Sequence, residues 1–260
     1  MKLLISLLLL SCSAFSQGAA VPPPIIQITS KPGGAAGPTR PYASGRAAVD
    51  VVGLAAATGL PQTWMIEMHP TFASIEDLDK ALSAVTRGRQ PSDSFGQPQD
   101  DLAAPPRTMI AVLQPGWSYR PEEAIRGLPK ARYIRVTIHR IRAGLEAEFG
   151  ELVKLRKLTN DSVNLDRPEL AYHVISGEPS GTYILLSPLN SLRVMDEGVI
   201  DVPAYAAPAA DALAKAEPKA ADIEISREHL LFRVEPRLSY VSDDFAAGDP
   251  AFWRSKPAGQ

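Results

Sequence analysis

The chain carries four histidines, and each lies on a segment that reads as a strand or a strand end. In the stretch from Tyr133 to Ile141, apolar Ile134, Val136 and Ile138 alternate with Tyr133, Arg135, Thr137 and His139. A period of two is the mark of a half-buried strand, with successive side chains on opposite faces. From His229 the apolar side is Leu230, Phe232 and Val234, leaving His229, Leu231, Arg233 and Glu235; from Thr63 it is Trp64, Ile66 and Met68, leaving Thr63, Met65, Glu67 and His69. The fourth histidine, His173, sits in a strand whose sidedness is open, since Tyr172 has an equal claim to the buried face.

Imidazole titrates near neutral pH, so such a set can supply a base or a neutral metal ligand, and a neighbouring arginine can hold an anionic intermediate. If the apolar stripes face covering helices, the polar stripes line a cavity. The candidate catalytic groups are then His139, His69, Arg135 and Arg233, with Tyr133, Thr137, His173, Glu67 and Glu235 contacting a ligand. The competing reading is a satisfied polar network or solvated strand ends, with Arg233 simply paired to Glu235 or Glu67. Neither H-x-H nor H-E-x-x-H occurs, so no metal is expected. No cofactor is expected either: G-x-G-x-x-G and the phosphate-loop motif are missing, and a G-x-S-x-G elbow is missing too.

The elements that must position these residues come in two copies. Thr63 to His69 (TWMIEMH), followed by Asp77, recurs as Thr182 to Pro188 (TYILLSP), followed by Asp196, at an offset of 119 residues. The string from Gln114 (QPGWSYRPEE) recurs from Glu235 (EPRLSYVSDD) at an offset of 121. An internal repeat means that one unit is built twice and that the copies pack on each other. In the second copy, the strand at Tyr133 ends at Arg142-Ala143-Gly144. Leu145, Phe149, Leu152, Leu155 and Leu158 then recur at helical spacing to about Thr159. Runs at Leu170–Ser176 and Thr182–Ser187 flank a Gly-rich turn as a hairpin. A helix is expected over Ser191–Gly198, with the Ala-rich stretch Tyr205–Glu217 prolonging the crossover, and a last strand over His229–Glu235. The order is βαββαβ. The first copy offers strands at Ile25–Ser30, Thr63–Met68 and Thr108–Leu113, and helices at Tyr42–Ala56 and Ser74–Arg87. Its second strand is worn, with Val51–Ala57 or Leu60–Gln62 as candidates. Ser118-Tyr119 and Ser239-Tyr240 precede the acidic pairs Glu122-Glu123 and Asp243-Asp244, as a capped helix start would.

A βαββαβ unit makes an antiparallel sheet with both helices on one face. The bare face of one copy is naturally buried against that of the other. The expected fold is therefore α+β, two fused ferredoxin-like units with antiparallel sheets packed as a pseudo-dimeric α/β barrel. The turns Lys31-Pro32-Gly33 and Arg142-Ala143-Gly144, the helix start Glu146, Glu148, Phe149 and the hairpin Gly177 to Tyr183 resemble the dimeric α/β-barrel superfamily. The likeness is to its NIPSNAP and antibiotic-biosynthesis-monooxygenase members, weakly over Pro24–Leu113 and better over Tyr133–Glu235. It implies a fold more firmly than a reaction, because that superfamily holds cofactor-independent monooxygenases, haem-handling enzymes and isomerases.

Lys2, the apolar run Leu3 to Leu10 and the small residues before Gln17 read as a cleaved export signal over residues 1–16, too short to span a bilayer. The expected location is secreted or periplasmic. A second reading makes Cys12 the lipidated first residue of a lipoprotein, although Leu10 is bulky for that motif. Cys12 is the only cysteine, so a chain cut after Ser16 has no thiol chemistry. The net charge of −2 gives no field for nucleic acid. The organisation expected is residues 17–23 as a flexible lead, 24–128 as a degenerate first unit, 129–241 as the second unit and 242–260 as a tail. The whole is a monomer with an internal pseudo-dimer. The expected function is binding of a small apolar or aromatic molecule between the sheets. The alternatives are a cofactor-independent monooxygenase or isomerase with a barrel histidine as base, and a structural protein with no pocket.

Overall fold

Period-two alternation of branched and aromatic residues with polar ones builds eight strands among the described residues. They are β1 (Ile25–Pro32), β2 (Asp50–Ala56), β3 (Gln62–His69), β4 (Arg107–Leu113), β5 (Tyr133–Ile141), β6 (Leu170–Ser176), β7 (Thr182–Leu189) and β8 (Glu224–Val234). Helices α1 (Pro121–Gly127), α2 (Glu146–Ser162), α3 (Arg193–Val199), α4 (Asp243–Ala246) and α5 (Pro250–Trp253) accompany them. The structure is a computed structural model and describes residues 21–33, 49–69, 106–199, 211, 214–215 and 220–254. The helix expected over Ser74–Arg87, most of the crossover stretch Tyr205–Glu217 and the N-terminal signal lie outside these residues. Among the described residues no helix is long and apolar enough to cross a membrane.

The strands close into one barrel in the order β1-β3-β2-β8-β5-β7-β6-β4, and every neighbouring pair is antiparallel. Each half contributes four neighbours in the same internal order, fourth, first, third, second. The halves meet where β2 pairs β8 and where β4 pairs β6. Closure leaves no free sheet edge at these seams. The helix expected over Tyr42–Ala56 is overturned at its end, because residues 50–56 are β2. Val51, Val52 and Leu54 pair there with β3, and the β-branched side chains of the two valines suit a pleated sheet better than a helix.

The barrel also corrects which stripe of each strand lies inside. One continuous apolar cluster takes residues from all eight strands, among them Ile28, Leu54, Ile66, Ala111, Val136, Tyr172, Ile184 and Phe232. Strand registers put these on a single face, for instance Val136 opposite Leu186 and Leu230, and Ile28 opposite Ile66 and Met109. That face is the interior. Ala124 and Leu128 after β4, and Ala246 and Trp253 from α4 and α5, join the same cluster. The segment expected as a tail therefore packs against the core, with Ser242 and Asp249 capping its two helices. The cavity remaining among Ile26, Val52, Ile66, Met68, Ile134 and Tyr172 is about 20 Å³, room for roughly one water. Among the described residues, the space expected as a ligand chamber between the sheets is occupied by apolar side chains, and the polar stripes face outward. The physical reason is satisfaction. A barrel interior offers strand side chains few polar partners, whereas the outer face meets helices and loops that can supply them.

The repeated Ser-Tyr strings act at the two seams, reciprocally. Ser118 Oγ accepts from the Ala171 amide at 3.0 Å and donates to the Gln114 carbonyl at 2.9 Å. Ser239 Oγ accepts from the Gly53 amide at 2.9 Å and donates to the Glu235 carbonyl at 2.7 Å. Tyr119 exchanges both backbone hydrogen bonds with Glu169, as Tyr240 does with Val51. Each half therefore clamps the second strand of the other. Gly53 is required in this role, since a Cβ there would lie 2.4 Å from Leu238 Cβ and 2.7 Å from its carbonyl carbon. The acidic pairs sit in first helical turns as expected, Glu122 and Glu123 in α1 and Asp243 and Asp244 in α4. The cap of α4 is Ser242 rather than Ser239.

Candidate functional site

The candidate residues of β5 form the middle of a grid on the outer face of the second half. Registers set Arg135 between Leu231 and Ser187, Thr137 between His229 and Leu185, and His139 between Arg227 and Tyr183. On the far side of β7, His173 lies opposite Tyr183 and Ala171 opposite Leu185. Helix α2 covers the β6–β7 side of the grid. Its Phe149 and Val153 bury against Ala171, Tyr183, Leu185, Ile141 and Ile223, with Trp117 and Leu152 alongside. The helix starts after Gly144, whose positive φ of 87° makes the turn out of β5, and Glu146 and Glu148 occupy its first turn.

At the centre of the grid edge, His139 is 1% exposed. Its Nδ1 lies 3.2 Å from Glu224 Oε1, and its ring centroid is 5.1 Å from that of Phe149. Glu224 in turn receives two hydrogen bonds from Arg227, Nε to Oε2 at 2.9 Å and Nη2 to Oε1 at 2.6 Å. Burial lowers the His139 pKa below its ordinary value, and the Glu224 hydrogen bond offsets this only in part. Burial pushes the Glu224 carboxyl up, but the hydrogen bonds from His139 and Arg227 outweigh it and hold the group at about 2. Near neutral pH the pair is therefore a carboxylate and a neutral imidazole. A carboxylate on Nδ1 fixes the tautomer that carries its proton there. The Nε2 lone pair is then an acceptor, and that atom is buried with no hydrogen-bond partner among the described residues.

Two rungs away the chemistry is cationic. Glu169 takes Arg156 on Oε1 at 2.8 Å and the Ser187 hydroxyl on Oε2 at 3.0 Å. Arg135 Nη2 stands 4.0 Å from the same Oε2, and its Nε is buried without a partner among the described residues. Between the two sites Thr137 Oγ1 and His229 Nδ1 form a hydrogen bond of 3.2 Å. Burial lowers the His229 pKa, and the charge of Arg135 adds to the effect.

The other candidates are dispersed. His173 stacks on Tyr183 with centroids 4.6 Å apart, on the same face but across β7 from His139. Glu67 and His69 lie on the outer face of the first half, 3.7 Å apart at His69 Nε2 and Glu67 Oε2. Strands β2 and β8 separate them from β5. Arg233 and Glu235 form an ion pair with Nη2 to Oε1 at 2.5 Å, the partner that the non-catalytic reading assigned. Tyr133 and Arg233 border an outward depression of about 440 Å³, together with Leu192, Leu231 and residues 55–58. Glu224, Arg227, Glu169, Arg156 and Ser187 were not anticipated. The strand containing Glu224 and Arg227 begins five residues before the expected His229; strict alternation puts Arg227 on the outer stripe, but Glu224 reaches it only through the register shift between Arg140 and Ile141.

No protein-family model matches the chain, and no curated protein matches it. Among solved structures it is similar to an anthrone oxidase-like protein, with a TM-score of 0.48 and 10% identity, covering 82% of this chain and 92% of that one. It is also similar to a proposed monooxygenase from Fusobacterium nucleatum subsp. nucleatum, with a TM-score of 0.47 and 9% identity, covering 85% of this chain and 99% of the other. A third is a mutant chlorite dismutase from Candidatus Nitrospira defluvii, with a TM-score of 0.45 and 10% identity, covering 88% of this chain and 96% of that one. The closed antiparallel barrel of this chain rests on its own strand pairing.

Proposed function

We propose that this protein binds a small apolar or aromatic molecule on the outer face of its second half, with His139 Nε2 accepting a hydrogen bond from it. One observation carries the reading: a buried, neutral imidazole held by a carboxylate on one nitrogen and unpartnered on the other. A buried polar atom without a partner costs on the order of 1–3 kcal/mol, and a ligand donor would recover part of that. The aromatic surroundings, with Trp117, Phe149 and Tyr183 in mutual contact, favour an apolar body. The same geometry supports a second reading, proton abstraction by His139 with Glu224 orienting it, as in a cofactor-independent monooxygenase or isomerase. The architecture is best read as two fused ferredoxin-like units, which the matching strand orders and the reciprocal Ser-Tyr clamps support. The N-terminal apolar run supports export of the chain.

The test is a titration with 2-naphthol, a neutral aromatic donor, followed by tryptophan emission. Saturable binding is expected for the native protein, weakened about five- to tenfold in His139→Gln, the loss of one hydrogen bond. Indistinguishable titrations of the two proteins would reject His139 as the acceptor.

A further inference from the structure

A different observation points past His139, to the charge of a ligand. Arg135 is a guanidinium on the outer face of β5 whose carboxylate neighbour, Glu169, is shared with closer donors. Both oxygens of Glu169 are taken, by Arg156 and by Ser187, and Glu169 stands 4.0 Å from Arg135, beyond hydrogen-bond reach. Arg135 Nε is buried and unpartnered among the described residues. Burial opposes its charge most, Glu169 supports it, and Arg167 and Arg156 add repulsion. This partly buried cation therefore shares the Glu169 carboxylate, at the outer limit of an ion pair, with the closer Arg156, and the charge around it stays net positive. The neighbouring surface is concave and mostly apolar. Tyr133, two residues before Arg135 on the same face, and Leu231, directly opposite it on β8, both border the depression of about 440 Å³. Leu192, the alanines at 55–57 and Thr58 line the rest, and the cation of that lining, Arg233, is paired with Glu235.

We propose that Arg135 is the anion-binding residue of an apolar-acid site, taking the carboxylate of a small hydrophobic or aromatic monoacid whose body lies in the depression beside Tyr133 and Leu231. A planar guanidinium fork matches a carboxylate geometrically, and a fork held only loosely by Glu169, at 4.0 Å, can take one further negative charge. The inference goes beyond the His139 reading and does not depend on it.

The experiment compares two probes of one shape, 2-naphthoate and 2-naphthol, by isothermal titration calorimetry. The native protein is expected to prefer the carboxylate about tenfold. Arg135→Gln is expected to abolish that preference, and Arg135→Lys, which keeps the charge and loses the fork, to retain only part of it. Circular dichroism checks that the variants fold, and if Arg135→Gln does not, the native and Arg135→Lys titrations decide. Absence of a carboxylate preference in the native protein overturns the proposal, as does a preference that survives Arg135→Gln. Neither outcome bears on the His139→Gln titration with 2-naphthol, so the two readings fail separately.

Discussion

His139 sets a pH dependence whose sign follows from its surroundings. Burial lowers its folded-state pKa, so between that value and the ordinary value of about 6.5 the unfolded chain binds the proton more readily. Stability rises with pH wherever the unfolded state holds more protons. The contribution of His139 is therefore complete above about pH 6.5 and is lost as pH falls through that window. Glu224 adds a second loss at lower pH. Its native pKa of about 2 makes its contribution complete above the ordinary carboxyl range and lost as pH falls toward 2. Urea midpoints are expected to drop between pH 7.5 and 5.5, and to drop less in His139→Gln, where nothing at that position titrates. A variant with the same pH slope as the native protein would mean that the imidazole is not held neutral by the fold.

Elements were legible where alternation was strict and illegible where sidedness mattered. The nine residues of β5 and the helical spacing of Phe149, Leu152 and Leu155 in α2 declare their types in the sequence, because period follows directly from backbone geometry. The sequence does not declare which side of β5 faces the barrel interior, because both sides are buried. Val136 is 0% exposed inside and His139 1% exposed outside. The partners that make the outer burial tolerable, Glu224 and Arg227 for His139 and Arg156 for Glu169, come from other strands and helices, and local spacing does not show which elements they meet. The Ser-Tyr strings were visible as a repeat, but their work at the seams was not, since each acts on the other half. That work makes a paired prediction. Replacing Ser118 or Ser239 by alanine leaves the Ala171 or Gly53 amide without its acceptor, a cost of about 1–3 kcal/mol each. The two variants should lower the urea midpoint by similar amounts. If Ser239→Ala is neutral while Ser118→Ala is costly, the clamps are not equivalent.

The two halves differ in sequence yet share one interior, and this governs how the molecule should unfold. Ile28 of β1 and Ile184 of β7 are each fully buried and belong to the same apolar cluster, although they lie in opposite halves. Two domains with separate cores would unfold in two steps, each sensitive to its own mutations. A barrel with one core and two hydrogen-bonded seams couples every strand to every other around the ring. Truncating either isoleucine to alanine removes apolar contact and leaves a cavity, at about 2–5 kcal/mol. Ile28→Ala and Ile184→Ala should therefore lower one and the same urea transition, with far-ultraviolet circular dichroism and tryptophan emission moving together. A second transition in either variant, left at the native midpoint, would mean that the halves hold their structure independently. In that case the closed strand order would describe contact between two domains rather than a single cooperative fold.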